Sequence, residues 1–258
     1  MLICPVRGCR QPLTRQDRRY FCPSGHSFDV ARSGYVNLLQ PQDRRSKSPG
    51  DTPEAVAARR RLQDRGITRP LLSAMEALLP LGPSDSLLDA GCGEGFYLGN
   101  RQGESGCTGH GVDISIPAID AAARRYADCE WVVANADRAI PYGEGSFTAV
   151  QSITARMNAP EFFRVLQPGG RLLVAIPAPE DLIELRGAGK DRVERTIDTF
   201  AGSFRLEQTQ RVTTTAQLDA AGIQDVLHAI YRPLQNEAPR AADVTFSLDL
   251  LLFLRADF

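Results

Sequence analysis

The chain has 258 residues, of which 43% are hydrophobic and 24% charged, and its net charge is −1. That is enough chain for one α/β domain with a small appendage, and the composition is that of an ordinary globular protein. No apolar run reaches the roughly 18 residues that a membrane span requires, and the total charge by itself calls for no polyanionic partner.

The charge is unevenly distributed. Residues 1–70 hold 14 Lys/Arg against 6 Asp/Glu, a net of +8, which leaves −9 for the rest. Such asymmetry points the N-terminal part toward an acidic partner such as nucleic acid, although solvated helix faces account for it equally well.

The first residues, Met1 to Arg7, lack a charged segment followed by an apolar one, so no secretory signal is expected and a cytoplasmic location is. In that compartment disulfides are rare, and clustered cysteines more often hold metal. Cys4-x4-Cys9, twelve residues, then Cys22-x3-His26 supply three thiolates and an imidazole in two turns that contain Pro5, Gly8, Pro23 and Gly25. Four such ligands suit a closed tetrahedral zinc site, with a disulfide or free thiols as the competing reading. A segment of this size buries too little core to fold without a staple. Cys92, Cys107 and Cys129 lack ligand-like spacing and read as small buried hydrophobes, and His110 and His228 carry no partner signature.

After Gly34-Tyr35-Val36-Asn37-Leu38-Leu39 comes a polar loop with Arg44, Arg45, Lys47, Pro49 and Gly50. Thr52 is the expected N-cap and Pro53 the first residue of a helix that runs to about Arg65 and stops at Gly66. Arg59, Arg60 and Arg61 on it form a solvated face or, beside a zinc module, a phosphate-contacting stripe. From there helix and strand alternate: helix 69–79, strand 85–90, helix 94–101, strand 107–113, helix 116–127, strands 130–135 and 147–153, helix 159–166 and strand 171–177. Pro168-Gly169-Gly170 is expected to turn the chain into that last strand, and further strands fall near 203–213 and 244–254. Alternation of this kind implies a parallel sheet with right-handed crossovers.

The chemistry concentrates in Leu87-Leu88-Asp89-Ala90-Gly91-Cys92-Gly93-Glu94-Gly95. An apolar strand ends in an acid, and three glycines turn the chain into a helix, so that backbone can approach a ligand outside the strand's carboxyl end. A glycine loop alone is weak evidence. Asp89, however, would repel a pyrophosphate and could hold a cationic amino group, and Asp113, ending the next strand before Ile114, can take two ribose hydroxyls. S-adenosylmethionine (SAM), with an amino acid and a ribose but no phosphate, fits better than a dinucleotide.

The sequence resembles the RlmA-type 23S rRNA guanine-N1 methyltransferases, a family that includes macrolide-resistance enzymes. The resemblance covers nearly the whole chain. It is carried by residues 22–31, by Gly34 to Leu39, by Pro49-Gly50-Asp51 with Ala58-Arg59-Arg60, by Leu88 to Gly95 and by Val165-Leu166-Gln167-Pro168-Gly169-Gly170. It implies a Rossmann-like SAM-dependent methyltransferase fold with a small N-terminal zinc-binding module: residues 1–40 for zinc and RNA recognition, 41–80 a basic linker with helices, and 81–258 the methyltransferase domain. It also implies zinc on Cys4, Cys9, Cys22 and His26, SAM over Gly91, Gly93, Glu94 and Gly95 with Asp113 at the ribose and Ile114 beside it in the cofactor set, a 23S rRNA hairpin as substrate, and a homodimer.

The chain departs from the family pattern in four places. Thr68 stands where the family has a cofactor-contacting tyrosine, and Asp181 where it has a histidine after the fifth strand. Thr154-Ala155-Arg156 replaces an aromatic-Ala-Pro sequence, and Ala136, flanked by Asn135 and Asp137, replaces the adenine-side acid common among SAM enzymes. Thr68, Asn135, Ala136 and Asp181 nevertheless complete the expected cofactor set. They also leave two other readings, a small-molecule methyltransferase on the same scaffold and a non-catalytic RNA-binding homologue. Guanine N1 carries a proton, so methylation needs an acceptor within hydrogen-bond reach. Asp181 is the first candidate and Glu180 the second, against a reading in which both only begin a helix.

Overall fold

The computed structural model describes every residue except Arg45, Lys47, 231–239 and 257–258, so two cations of the polar loop lie outside the described residues. In chain order the elements are β1 (Thr14–Gln16), β2 (Arg19–Phe21), β3 (Ser27–Asp29), β4 (Val36–Asn37), α1 (Pro53–Asp64), α2 (Arg69–Leu78), β5 (Ser86–Ala90), α3 (Phe96–Ser105), β6 (Thr108–Asp113) and α4 (Ile116–Arg125). They continue with β7 (Glu130–Val133), β8 (Phe147–Ile153), α5 (Ala159–Val165), β9 (Leu166–Pro177), α6 (Ile183–Arg186), α7 (Val193–Phe200), β10 (Phe204–Leu218), α8 (Ala220–Ala229) and β11 (Ala242–Arg255).

Local chemistry sets the helix starts. The Thr52 hydroxyl accepts the Ala55 N–H at 3.2 Å and Pro53 follows it, while Gly66 at φ +80° ends the turn after α1. Ser115 caps α4 and Asp219 caps α8 in the same way. The main sheet has the order β10-β11-β9-β8-β5-β6-β7-β4, and β1–β3 form a separate three-stranded ribbon. From β9 to β4 all neighbours pair in parallel. Because β6 lies on one side of β5 and β8 on the other, the chain reverses direction across the sheet at β5, where open α/β sheets place their ligand crevice.

The expected parallel sheet is extended at one edge by antiparallel strands. β11 runs antiparallel to both its neighbours and fills the place between β9 and β10. Its run Leu250-Leu251-Leu252-Phe253 is buried on both faces, as a central strand requires. The segment Pro168-Gly169-Gly170 is not a turn before the fifth strand but an irregularity inside β9, where the pairing jumps from Phe147–Leu166 to Ala149–Arg171 and Gly169 takes φ +69°.

Two apolar layers sandwich the sheet. One joins Leu88, Val112, Val150 and Leu172 to Leu2, Leu13 and Tyr20 of the ribbon region. The other packs Leu87, Trp131, Ala149 and Leu173 against Leu71, Met75 and Leu98 of α2 and α3. The ribbon is therefore part of the main core. β4 adds a short parallel strand to β7, and Leu38 N–H continues that pairing to the Val133 carbonyl at 2.9 Å. Residues 41–52 also lie on the domain: Asn135 donates to the Asp43 carbonyl at 2.9 Å, and Ser115 Oγ donates to the Asp51 carbonyl at 2.8 Å. At Gly50 (φ +85°) a Cβ would come within 2.7 Å of Ser115 Cβ, so the close approach needs glycine.

Candidate active site and metal centre

Cys4, Cys9, Cys22 and His26 converge, their ligand atoms all within 4.8 Å of one another. Cys9 and Cys22 sulfurs are 3.7 Å apart, and His26 Nδ1 is 3.5 Å from Cys4 Sγ and 3.4 Å from Cys22 Sγ. Sulfurs bonded to one another would lie about 2.05 Å apart. Around a tetrahedral ion with bonds of about 2.3 Å to sulfur, the sulfur–sulfur edge is about 3.7 Å. The quartet thus fits zinc and not a disulfide. Burial pushes the Cys4 thiol up to about 12, while the Gln11 backbone N–H draws Cys9 down to about 6. The remaining cysteines, Cys92, Cys107 and Cys129, are buried and free, as their spacing suggests.

The ribbon is tied to the sheet by an acid. Glu130, first residue of β7, accepts the hydroxyls of Tyr20 and Tyr142 at 2.8 Å each and lies 3.0 Å from His110 Nδ1. Burial would raise its carboxyl, but these donors outweigh that and hold it at about 2. His110 thus has a partner that its sequence surroundings gave no sign of.

The second centre is the bend after β5. Gly91, Gly93 and Gly95 take φ of +84°, +54° and +78°, conformations that L side chains rarely adopt. Their roles differ. A Cβ on Gly91 would lie 2.4 Å from Ala155 Cβ, and one on Gly93 would sit 3.4 Å from the Arg59 guanidinium. A Cβ on Gly95 would enter the Trp131 ring at 2.2 Å, so this third glycine serves packing between the loop and β7. Asp113 pins the bend: its carboxylate accepts the Gly93 N–H at 2.9 Å and the Ser115 N–H at 2.8 Å. Burial raises its pKa, and these two amides oppose the rise. Beyond it, the Ala134 N–H bonds to the Asp113 carbonyl, which brings Asn135 and Ala136 to the same edge of the sheet. Ile114 packs partly buried in the second apolar layer.

Whether these residues suit a cofactor is testable on their unmet polar atoms. Buried polar groups normally find partners. Among the described residues, Thr68 Oγ1, Asp89 Oδ1 and both carboxylate oxygens of Glu94 are buried without any, and all three residues belong to the expected cofactor set. Burial pushes Asp89 and Glu94 up to about 7 each. Acceptors of this kind on a glycine bend suit a ligand that brings an ammonium group and hydroxyls.

Other expectations fall differently. Arg59 forms an ion pair with Asp51 at 2.6 Å and reaches the Ala229 carbonyl, while Arg61 grips Asp225 of α8 through two nitrogens. The phosphate-contacting stripe therefore loses two of its three arginines to partners within the chain. Arg59 instead becomes a wall of the glycine bend, which no spacing rule indicated. Asp181 lies beyond β9, two strands from β5, with Oδ1 on the Ser247 N–H at 3.0 Å and Oδ2 on Arg186 at 2.5 Å. Glu180 accepts the Ser247 hydroxyl at 3.0 Å and stands 3.3 Å from Arg211. Thr154 takes φ +51°, and Arg156 pairs with Asp137 at 3.3 Å.

A sheet whose ligand crevice opens on a glycine bend between two buried acids, joined to a four-ligand ribbon, defines a Rossmann-like methyltransferase with an N-terminal zinc ribbon. Residues 2–47 match the zinc ribbon described as "RlmA, N-terminal", and residues 87–170 match a methyltransferase domain. A Streptomyces fradiae protein described as 23S rRNA (guanine(748)-N(1))-methyltransferase is 36% identical over 229 residues, 84% of this chain and 80% of that one. The Bacillus subtilis YxjB protein is 31% identical over 99% of this chain and 97% of its own. Among solved structures, Bacillus subtilis YcgJ superposes with a TM-score of 0.53 at 17% identity, over 72% of this chain and 98% of its own, and so speaks for the fold alone. The chain belongs to the family of 23S rRNA (guanine-N1)-methyltransferases. No helix among the described residues is long and apolar enough to cross a membrane.

Proposed function

We propose that this enzyme transfers the methyl group of SAM to N1 of one guanine in a 23S rRNA hairpin, acting in the cytoplasm as a homodimer. The single observation that carries the reading is the Tyr20–Glu130 joint, which ties the metal-binding ribbon to the sheet whose strand β5 leads into the glycine bend. RNA recognition by the basic ribbon and chemistry at the bend then share one frame of reference.

The SAM sulfonium supplies an activated methyl group for in-line displacement. The protein's part is positioning and exclusion of water. Asp89 and Glu94 would receive the amino-acid end, Gly91 and Gly93 let main chain lie against the ligand, and Asp113 would take ribose hydroxyls on the lone pairs its two backbone bonds leave free. Ile114, Asn135 and Ala136 would border the adenine, with Thr68 and Gly95 supporting the cradle. Zinc on Cys4, Cys9, Cys22 and His26 supplies a cross-link and no open coordination position. The acceptor base has to be unstacked before its edge can be presented. Asp181 is the proposed acceptor of the N1 proton, which requires Arg186 to release Oδ2. Primer extension on rRNA from a deletion strain tests the function: a stop at one large-subunit guanine should vanish and return with the wild-type gene, whereas an unchanged stop pattern overturns it.

A further inference from the structure

Arg101 of α3 is 2% exposed, yet its described side-chain partners are an amide and a carbonyl. Its guanidinium donates to Gln151 Oε1 at 2.6 Å and to the Leu79 carbonyl after α2, while its Nε has no partner. Gln151, on β8 and fully buried, donates from Nε2 to Asp89 Oδ2 at 2.9 Å. The direction of this chain is forced. Arginine only donates and an ionised carboxylate only accepts, so the amide between them has to turn its oxygen to Arg101 and its nitrogen to Asp89. A buried cation facing no carboxylate is expensive to keep. Part of the cost is offset by its place at the C-terminal end of α2. What the relay does locally is to fix one oxygen of Asp89 and leave the other, Oδ1, buried without a partner among the described residues.

We propose that Arg101 and Gln151 are positioning residues that hold Asp89 by Oδ2 so that Oδ1 receives the α-ammonium of the cofactor's amino-acid end. This rests on the SAM reading above and assigns the two residues a part in it. Electrostatics act in the same sense. Burial is the main influence raising Asp89, Asp113 raises it further, and the Gln151 N–H and the Arg101 charge oppose the rise. Without the relay the acid shifts toward its neutral form, which attracts no cation. Tyr97 and Cys92 beside it titrate too high to replace it.

The test compares two ligands on the full-length protein by calorimetry: S-adenosylhomocysteine, which has the amino acid, and 5′-methylthioadenosine, which lacks it. Gln151→Met keeps side-chain volume and removes the relay bond. It should weaken S-adenosylhomocysteine about ten- to a hundredfold and change 5′-methylthioadenosine less than about twofold, the range for losing a hydrogen bond to a charged group. Asp89→Asn should give the same selective loss, and the double variant should lose no more than the single ones, because one acts through the other. Arg101→Met should repeat the pattern, and Arg101→Lys should restore part of it. Equal losses for both ligands, no loss, or additive losses in the double variant would overturn the proposal. A wild-type protein that binds neither ligand would overturn the cofactor reading itself.

Discussion

The Tyr20 hydroxyl, on the ribbon, donates to Glu130 Oε1, on the sheet, across 2.8 Å and 110 residues of chain. Tyr20 is buried at 7% exposure, and its acceptor is an ionised carboxylate, so the bond is of the stronger kind. Tyr20→Phe keeps the ring and removes the donor. It should lower stability by about 1.5–3 kcal/mol, seen in urea denaturation, while zinc content stays at one equivalent. A variant as stable as wild type would show the joint to be incidental.

The same acid sets the acid limb of stability. Burial acts to raise Glu130, but His110, Tyr20 and Tyr142 hold it down at about 2. A depressed carboxyl stabilises the fold fully above its unfolded value of about 4.3, and that contribution is lost as pH falls through the folded value. Between about pH 4.3 and 2 wild type should therefore lose stability more steeply than Glu130→Gln. Parallel curves for the two proteins would refute the assignment.

Metal removal should be felt beyond the ribbon. Cys4 and Cys22 belong to the same apolar cluster as Leu88, Val112 and Phe147. Chelation, or His26→Ala, should lower the single melting transition of the whole chain by about 5 °C or more, the shift expected for roughly 2 kcal/mol in a chain of this length. Metal analysis by mass spectrometry should show the loss. A separate low-temperature transition with the main one unmoved would show the ribbon to be an independent unit.

Gly93 and Gly95 should separate binding from folding. Alanine at Gly93 adds a Cβ at φ +54° in contact with Arg59, which costs about 1–2 kcal/mol of stability and weakens S-adenosylhomocysteine. Alanine at Gly95 drives a Cβ into Trp131 and should cost about 3 kcal/mol or more, mostly as lost fold. Reversed behaviour in thermal melts would mean that the loop's three glycines are assigned in the wrong order.

Asp181→Asn discriminates chemistry from scaffolding. As proton acceptor its loss should reduce turnover on rRNA about 10²- to 10⁴-fold, far beyond its effect on S-adenosylhomocysteine affinity. Turnover that tracks only the drop in melting temperature would leave Asp181 as the brace between Arg186 and the Ser247 backbone.

The sequence by itself determined the elements from α1 to β9, because the signals that make them are local, whereas the short ribbon strands and the helices α6 to α8 were not read from it. Apolar periodicity marked β5 to β9, Thr52 with Pro53 marked α1, and Gly91 to Gly95 marked the bend, each within a few residues of what forms. The metal quartet was equally legible, since two tight turns leave four ligands few other arrangements. Only the tertiary structure decided what depends on contacts between distant segments. Period-2 patterning does not say which way a strand runs, so β11 entering antiparallel between β9 and β10 was hidden. Three adjacent arginines look alike in sequence, yet α1 turns Arg59 to Asp51 and the glycine bend and Arg61 to Asp225. The Arg101–Gln151–Asp89 relay joins α3, β8 and β5, and its direction follows from hydrogen-bond chemistry only once packing has brought the three side chains together.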